Sequence, residues 1–360
     1  MGHLPYTTDS LGWGDPRAVS RAPGAAEIGH LFLAPASVGR GALGVEGGVS
    51  LVAGPGMGKT TTLRQLAFAL AERRGVATAL VALPDVRAHR DAAGFYPYLG
   101  AVLASIRRAL LAPAAMVRLP EAAREVLSRE GDAAASGAVT PPAFERWMGE
   151  LGAAASRGAG VCLLFDDVDA VQEASWRQAF VAALRFTFQA CVGVTPVYAL
   201  WLQYRDESLA GSNYFRNVTR PVFLAPLASE GRVALARHGL PGAAAADVRR
   251  ASALVGGHPL LLQRLLADVV DSGWSPDSAR PLDALLGAER VEAQRRLVAS
   301  LLAASPGLVE ALRQLEARRE AAPVSYRTLP VGLAASGMVD EDQAGHAFVP
   351  ERIAAGLAGS

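Results

Sequence analysis

Ala53-Gly54-Pro55-Gly56-Met57-Gly58-Lys59-Thr60-Thr61 is the stretch that decides the reading of this chain. It fits the phosphate-loop pattern G-x-x-x-x-G-K-[ST], with Ala53 in place of the first glycine. The flanks agree. Gly47 to Ala53 (GGVSLVA) is a short apolar run of strand type. From Lys59 to Arg74, Leu63, Leu66, Ala67 and Leu70 recur at helical spacing, and Gly75 follows as a stop. Gly54, Gly56 and Gly58 permit backbone conformations that turn several N–H groups toward one point. The helix behind them adds the positive end of its dipole, which favours a phosphate. Gly54, Pro55, Gly56, Met57, Gly58, Lys59, Thr60 and Thr61 are therefore the expected nucleotide-binding residues. Lys59 is expected to reach the β- and γ-phosphates of ATP or ADP, and the Thr60 hydroxyl to ligate Mg2+. Thr61 is expected to start the helix or touch a phosphate.

Working outward, one count supports the motif. The chain holds 35 Lys and Arg residues, and a single one of them is lysine, Lys59. Arginine replaces lysine everywhere that charge alone suffices. The exception sits where a compact ammonium is needed rather than a planar guanidinium.

The rest of the composition bounds the class. With 360 residues, 51% hydrophobic and 19% charged, the chain can bury sizeable cores over two or three domains, and disorder is excluded for its bulk. A formal charge of +1 excludes a global basic field for nucleic acid. Cys162 and Cys191 make no disulfide framework, so a reduced, cytoplasmic chain is expected. The opening MGHLPYTTDS has no signal-peptide character, and no apolar run is long enough for a membrane helix.

Periodicity organises the remainder. Residues 1–47, rich in Gly, Pro and Ala, read as an N-terminal arm. Residues 48–227 alternate apolar strands with helices, the mark of an α/β layer with a mostly parallel sheet. The strands are expected near 47–53, 76–83, 161–165, 197–204 and 221–224. Helices are expected over 98–111, 121–129, 142–155 and 172–189. From 228 the pattern turns helical, with 229–238, 243–255 and 259–272 forming one unit to residue 280. Residues 281–360 read as helices near 288–303, 308–319 and 325–336. Two extended pieces, 338–340 and 346–349, then flank the turn Gln343-Ala344-Gly345.

A second acidic element completes the candidate site. Val161-Cys162-Leu163-Leu164-Phe165 is wholly apolar and ends in Asp166-Asp167. Asp166 emerges at the carboxyl end of a buried strand, where open α/β sheets bind ligands, and is expected to hold Mg2+. Asp167 is placed to orient or deprotonate the attacking water. Asp169 reads as an N-cap for the next helix. Arg205 follows a later strand and reads either as a γ-phosphate sensor or as a surface arginine. Arg216 and Arg220 read either as arginine fingers toward a neighbour or as plain loop residues. Phe95-Tyr96-Pro97-Tyr98 reads as core packing at a helix start, with an exposed partner patch as the alternative.

With these residues in hand, the chain resembles the STAND and AAA+ branch of P-loop ATPases over residues 45–355. The resemblance is carried by the Ala53–Thr61 loop and by Leu163 to Asp169 (LLFDDVD). It continues through Phe223-Leu224-Ala225-Pro226-Leu227 and Gly256-Gly257-His258-Pro259. It implies a five-stranded parallel sheet with the phosphate strand central, an all-helical lid over residues 228–280, and a C-terminal winged-helix unit. It also implies a turn at Pro259, and less surely His258, that rests on the nucleotide base. The C-terminal match rests on Leu329, Leu333, Gly337-Met338-Val339 and Phe348. The implied activity is that of an ATP-driven switch with a separate effector or signalling partner and a homo-oligomer formed on ATP binding. An AAA+ ATPase acting on DNA and a non-hydrolysing scaffold are the alternatives. Nucleic-acid binding is disfavoured, because the presumed recognition helix offers Arg327 alone and the hairpin tip, Asp340-Glu341-Asp342, is acidic. Arg295-Arg296 and Arg313 to Arg319 read as solvated helix faces.

Overall fold

The computed structural model describes residues 48–129, 137–201, 219–274, 287–303 and 306–357. The expected N-terminal arm, Arg205 and Arg216 lie outside them. β1 (Val49–Ala53) runs through the glycine loop into α1 (Lys59–Arg74) and β2 (Ala77–Ala82). α2 (Phe95–Leu110), α3 (Pro113–Met116), α4 (Glu121–Ser128) and α5 (Pro141–Ala155) follow. β3 (Val161–Asp166), α6 (Arg177–Ala190), β4 (Val194–Trp201) and β5 (Arg220–Phe223) close the α/β part.

The five strands form one sheet in the order β2-β3-β4-β1-β5, and every pairing is parallel. The buried runs explain this. β1 is buried at all five positions, and β3 at every position but its last, so both need cover on two faces. One face carries α2, α4, α5 and α6, packed through Leu99, Val102, Phe144, Leu151 and Phe180. The other carries α1 through Leu63, Leu66 and Leu70 against Leu51, Cys162 and Val197. The phosphate strand is interior as expected, but β4 holds the middle place and β1 stands beside the edge strand β5.

Three expectations need correction. The helix expected over 172–189 is two elements: a 3-10 turn over Val168–Glu173 and then α6, separated by extended Ala174. Asp169, expected to cap that helix, lies inside the 3-10 turn, whose N-cap position is Asp167. The helix expected over 325–336 is broken as well, into a 3-10 turn over Tyr326–Thr328 and a helix at Val331–Ala335. Pro330 stands at the N-cap of the second piece and forces Leu329 out of the helical region, which separates the two.

The aromatic run after β2 is core. Phe95 stacks on Trp176 with ring centroids 5.7 Å apart, and Tyr98 packs on the same indole at 4.6 Å. Only Tyr96 points outward, 48% exposed. Trp176 Nε1 donates to the His89 carbonyl at 2.5 Å, and Ser175 N–H donates to Arg90 O at 3.1 Å. The segment after β2 is thereby tied to the segment after β3.

Beyond Leu227 the chain is helical: α7 (Ser229–Gly239), α8 (Ala245–Ala253), α9 (Pro259–Asp271), α10 (Ala288–Ala303) and α11 (Pro306–Ala321). α12 (Val331–Ala335) leads to a hairpin of β6 (Asp340–Glu341) and β7 (Ala347–Phe348), paired antiparallel. Ser325 bridges to His346, and α13 (Glu351–Leu357) ends the described chain. Leu235, Val248, Leu265, Val298, Leu312 and Val339 belong to one continuous core. No helix among the described residues is long and apolar enough to cross a membrane.

Candidate functional site

The glycine loop leaves the carboxyl end of β1 and ends on Gly58, which caps α1 in the left-handed region at φ 78°. Within it, Met57 N–H turns back to the Gly54 carbonyl at 3.4 Å. Lys59 is the first residue of α1, and its side chain folds into the loop rather than into solvent, 7% exposed. Its Nζ donates to the carbonyls of Ala53 and Gly54, each at 3.2 Å. The ammonium thus ties the loop's start to the helix's start, which a compact cation with radial donors does and a planar fork does not. Thr60 and Thr61 lie in the first turn, half-buried.

Asp166 ends β3 opposite Ala82, half-buried at the carboxyl edge of the sheet. β4 separates it from β1 and reaches Trp201, which pairs with Ala53. Asp167 is exposed and adopts φ 51°, the single non-glycine in the left-handed region among the described residues. Its N–H donates to Asp166 Oδ1 at 3.1 Å. Aspartate tolerates this conformation better than most side chains, and the kink turns the chain off the sheet.

The outer side of the loop is covered by two segments remote in sequence. A Cβ on Gly56 would lie 2.7 Å from Leu260 Cδ2 and 3.0 Å from His258 Cε1. A Cβ on Gly54 would lie 3.1 Å from the Ser336 carbonyl. On the other side Gly337, at φ +74°, faces Met57, and a Cβ there would fall 2.3 Å from the thioether sulfur. Pro259 is the first residue of α9, between two residues that touch the loop. His258 itself meets the loop's backbone: its Nε2 lies 3.1 Å from the Pro55 carbonyl. Leu260 and Ser336 carry no motif in the sequence, Gly337 enters the sequence reading only as part of the C-terminal resemblance, and the fold brings all three to the site.

The donor set fits a nucleotide with a small hard cation. A hydroxyl at Thr60 and a carboxylate at Asp166 are oxygen ligands of the kind Mg2+ takes in small number, with phosphate oxygens and waters completing its shell. Among the described residues no three His, Cys, Asp or Glu side chains gather as a metal cage. The close cover over Gly54 and Gly56 leaves backbone, not side chains, to line the loop. On the helical faces remote from the loop, Arg295 pairs with Glu292 and Arg319 with Glu316, as solvated faces do.

The comparisons with known proteins agree with this geometry. A family model described as an AAA ATPase domain matches residues 25–187. The Walker-type ATPase of Pyrococcus abyssi superposes with a TM-score of 0.57 at 12% identity, over 95% of this chain and 96% of that one. A signal transduction ATPase with numerous domains from Pyrococcus horikoshii, with a tetratricopeptide repeat sensor, is 16% identical with a TM-score of 0.37, over 95% of this chain and 43% of that one. The Aeropyrum pernix Orc1 protein, solved in complex with DNA, is 13% identical with a TM-score of 0.44, over 97% of this chain and 95% of that one. No curated protein matches the chain. The fold is thus similar to that of the Pyrococcus abyssi protein, and the 53–61 loop and the Asp166 strand both fall within the segment that matches an AAA ATPase domain.

Proposed function

We propose that this chain binds ATP with Mg2+ at the 53–61 loop, hydrolyses it slowly, and uses the nucleotide state as a switch. The observation that carries this is the double role of the loop. The backbone that would cradle phosphates is also the seat of His258, Leu260, Ser336 and Gly337. A ligand entering the loop therefore meets the helical segment and the C-terminal unit at the same place. In this reading residues 48–227 are the ATPase core, 228–280 the lid and 281–360 a winged-helix unit. Lys59 and the loop N–H groups hold the phosphates, and Thr60 and Asp166 hold Mg2+. Bound Mg2+ supplies charge neutralisation at the phosphates. Asp167 orients the attacking water, and Arg205 reports the γ-phosphate. Pro259 rests near the base. A separate effector or signalling chain is the partner, with self-association on ATP binding, and the protein works in the cytoplasm.

The supporting physics is local. The Lys59 ammonium is already folded into the loop, so little is lost in ordering it when phosphates arrive. The residue after Asp166 is an aspartate in a left-handed kink, shorter in reach than a glutamate, which favours slow turnover. A DNA-acting role is weaker: in the acidic hairpin Asp340 is engaged by Arg232 and Asp342 accepts from the Ala344 and His346 N–H groups, and the exposed carboxylates of Glu341 and Asp342 disfavour a phosphate backbone. Titration with a fluorescent ATP analogue, with and without Mg2+, and a phosphate-release assay test the reading. Mg2+-dependent binding that is lost in Lys59→Ala supports it, and parental binding in that variant overturns it.

A further inference from the structure

His258 is fully buried, 0% exposed, and both of its ring nitrogens are engaged across two elements. Nδ1 accepts from the Leu261 N–H at 3.4 Å, capping α9. Nε2 lies 3.1 Å from the Pro55 carbonyl. A carbonyl only accepts and a backbone N–H only donates, so the ring is the neutral tautomer with its proton on Nε2. Histidine is not among the preferred N-caps, and Ser, Thr, Asp or Asn would serve that end alone. What those shorter side chains lack is reach to the loop.

The bond to Pro55 has a consequence through the peptide plane. In a trans peptide the C=O and the following N–H point in opposite directions. A Pro55 carbonyl held outward by His258 directs the Gly56 N–H the other way, to the inner side of the loop. Within the loop that peptide sits at the centre of the turn closed by Met57 N–H on the Gly54 carbonyl, a long bond at 3.4 Å, and Gly56, at φ +70°, is permissive on its far side. Leu260 and Gly337 close around the same ring, since a Cβ on Gly337 would lie 3.1 Å from His258 Cδ2.

We propose that His258 is a positioning residue: by anchoring the Pro55 carbonyl from α9, it aims the Gly56 N–H at the phosphates and makes the lid's first turn report whether that donor is engaged. The inference rests on reading the loop as the nucleotide site. It adds a specific route between loop and lid, distinct from any contact of Pro259 with the base.

Two substitutions separate the roles of the ring. His258→Asn keeps a good helix cap and loses the reach to Pro55, and His258→Gln keeps an N–H at the reach of Nε2. Three measurements apply: thermal unfolding, hydrogen exchange of the 53–60 segment without nucleotide, and affinity for a fluorescent ATP analogue. His258→Asn should stay folded, exchange faster in the loop and bind the analogue about tenfold more weakly, as loss of one hydrogen bond to a charged group implies. His258→Gln should recover most of both effects. Parental loop exchange and parental affinity in His258→Asn would make His258 a helix cap and overturn the proposal. If the unsubstituted protein binds no analogue, the nucleotide reading fails, and the nucleotide-free exchange comparison still decides whether His258 anchors the loop.

Discussion

Arg232, in the first turn of α7, donates in parallel to both carboxylate oxygens of Asp340 in β6, at 2.6 and 2.5 Å. Both side chains are largely buried, 13% and 10% exposed. Arg232 Nε also donates to the Leu227 carbonyl at 2.8 Å, so one guanidinium joins the segment after β5, α7 and the C-terminal hairpin. The Gly256-Gly257 turn lies against the same group. A Cβ on Gly257 would sit 3.0 Å from Arg232 Nη2, and one on Gly256 would sit 2.9 Å from Pro350 Cγ. With a continuous core beneath, α7 and the C-terminal hairpin are keyed together.

Removing Arg232 leaves the buried Asp340 without its guanidinium, held by the Glu341 N–H at 2.9 Å. Arg232→Ala should lower stability by about 3–5 kcal/mol, the cost of breaking a buried pair from one side. Arg232→Lys should recover little, because an ammonium cannot match a two-oxygen acceptor in parallel. Urea denaturation measures it. A loss under about 1 kcal/mol would place the pair with ordinary surface salt bridges.

Lys59→Ala should abolish ATP binding or weaken it severely, since the chain holds no other lysine to take its place. Lys59→Arg should fail too. The ammonium now meets the Ala53 and Gly54 carbonyls in a buried space, and a guanidinium is wider and planar. Isothermal titration with Mg-ATP decides it, and near-parental affinity in both variants would remove the loop from the site.

Much of this architecture was legible because its signals are local. β1 and β3 are apolar runs, α1 repeats its leucines at helical spacing, and Asp166 ends a strand. Phe95 and Tyr98 were readable as core because they open a helix with apolar residues in register. What escaped depends on single-residue backbone states or on long-range packing. The left-handed Asp167 and the extended Ala174 split one apparent helix in two. Pro330, by contrast, was readable as an interruption of the helix expected over 325–336, and the break falls there. Pro196 falls within β4, where a sequence reading starts the strand after it. The cover of the loop by Leu260, Ser336 and Gly337 joins residues some two hundred positions or more from the loop, and no spacing encodes it. The role of Arg205 lies outside the described residues.

Asp166→Asn should weaken the Mg2+-dependent part of ATP binding, whereas Asp167→Asn should retain binding and lose turnover. Asparagine is the apt replacement at 167, because it accepts the left-handed backbone at little cost and isolates the charge. Binding with and without Mg2+, together with phosphate release, separates the two. Unchanged turnover in Asp167→Asn would assign the water to another group.

The two cysteines should be silent in the folded protein. Both thiols are buried, and burial pushes Cys191 up to about 11 and Cys162 further still. At pH 8 both stay protonated and covered, so a chromogenic disulfide reagent should react slowly with the native chain and promptly with the urea-unfolded one. Fast modification of the native protein would mean that the sheet opens readily around them.

Gly337 and Met57 give the sharpest test of the seat on the loop. Gly337 holds φ +74°, which costs an alanine about 1 kcal/mol through backbone strain alone. Sterics add to this, since the new methyl would fall 2.3 Å from Met57 Sδ and 2.9 Å from its Cε. Met57 is fully buried, so it has no free space to enter and must push on the loop that carries it. Gly337→Ala should therefore both lower the unfolding midpoint and weaken ATP binding, although residue 337 is remote in sequence from the loop. Shortening the obstacle separates the two effects. In Gly337→Ala with Met57→Ala the clash with Met57 is gone, while the backbone strain and the 3.1 Å approach to His258 Cδ2 remain. Affinity should return toward that of Met57→Ala alone, while part of the stability loss persists. A double-mutant cycle on affinity reads this coupling directly. Additive effects at the two positions would mean that the C-terminal turn does not press on the phosphate loop through Met57.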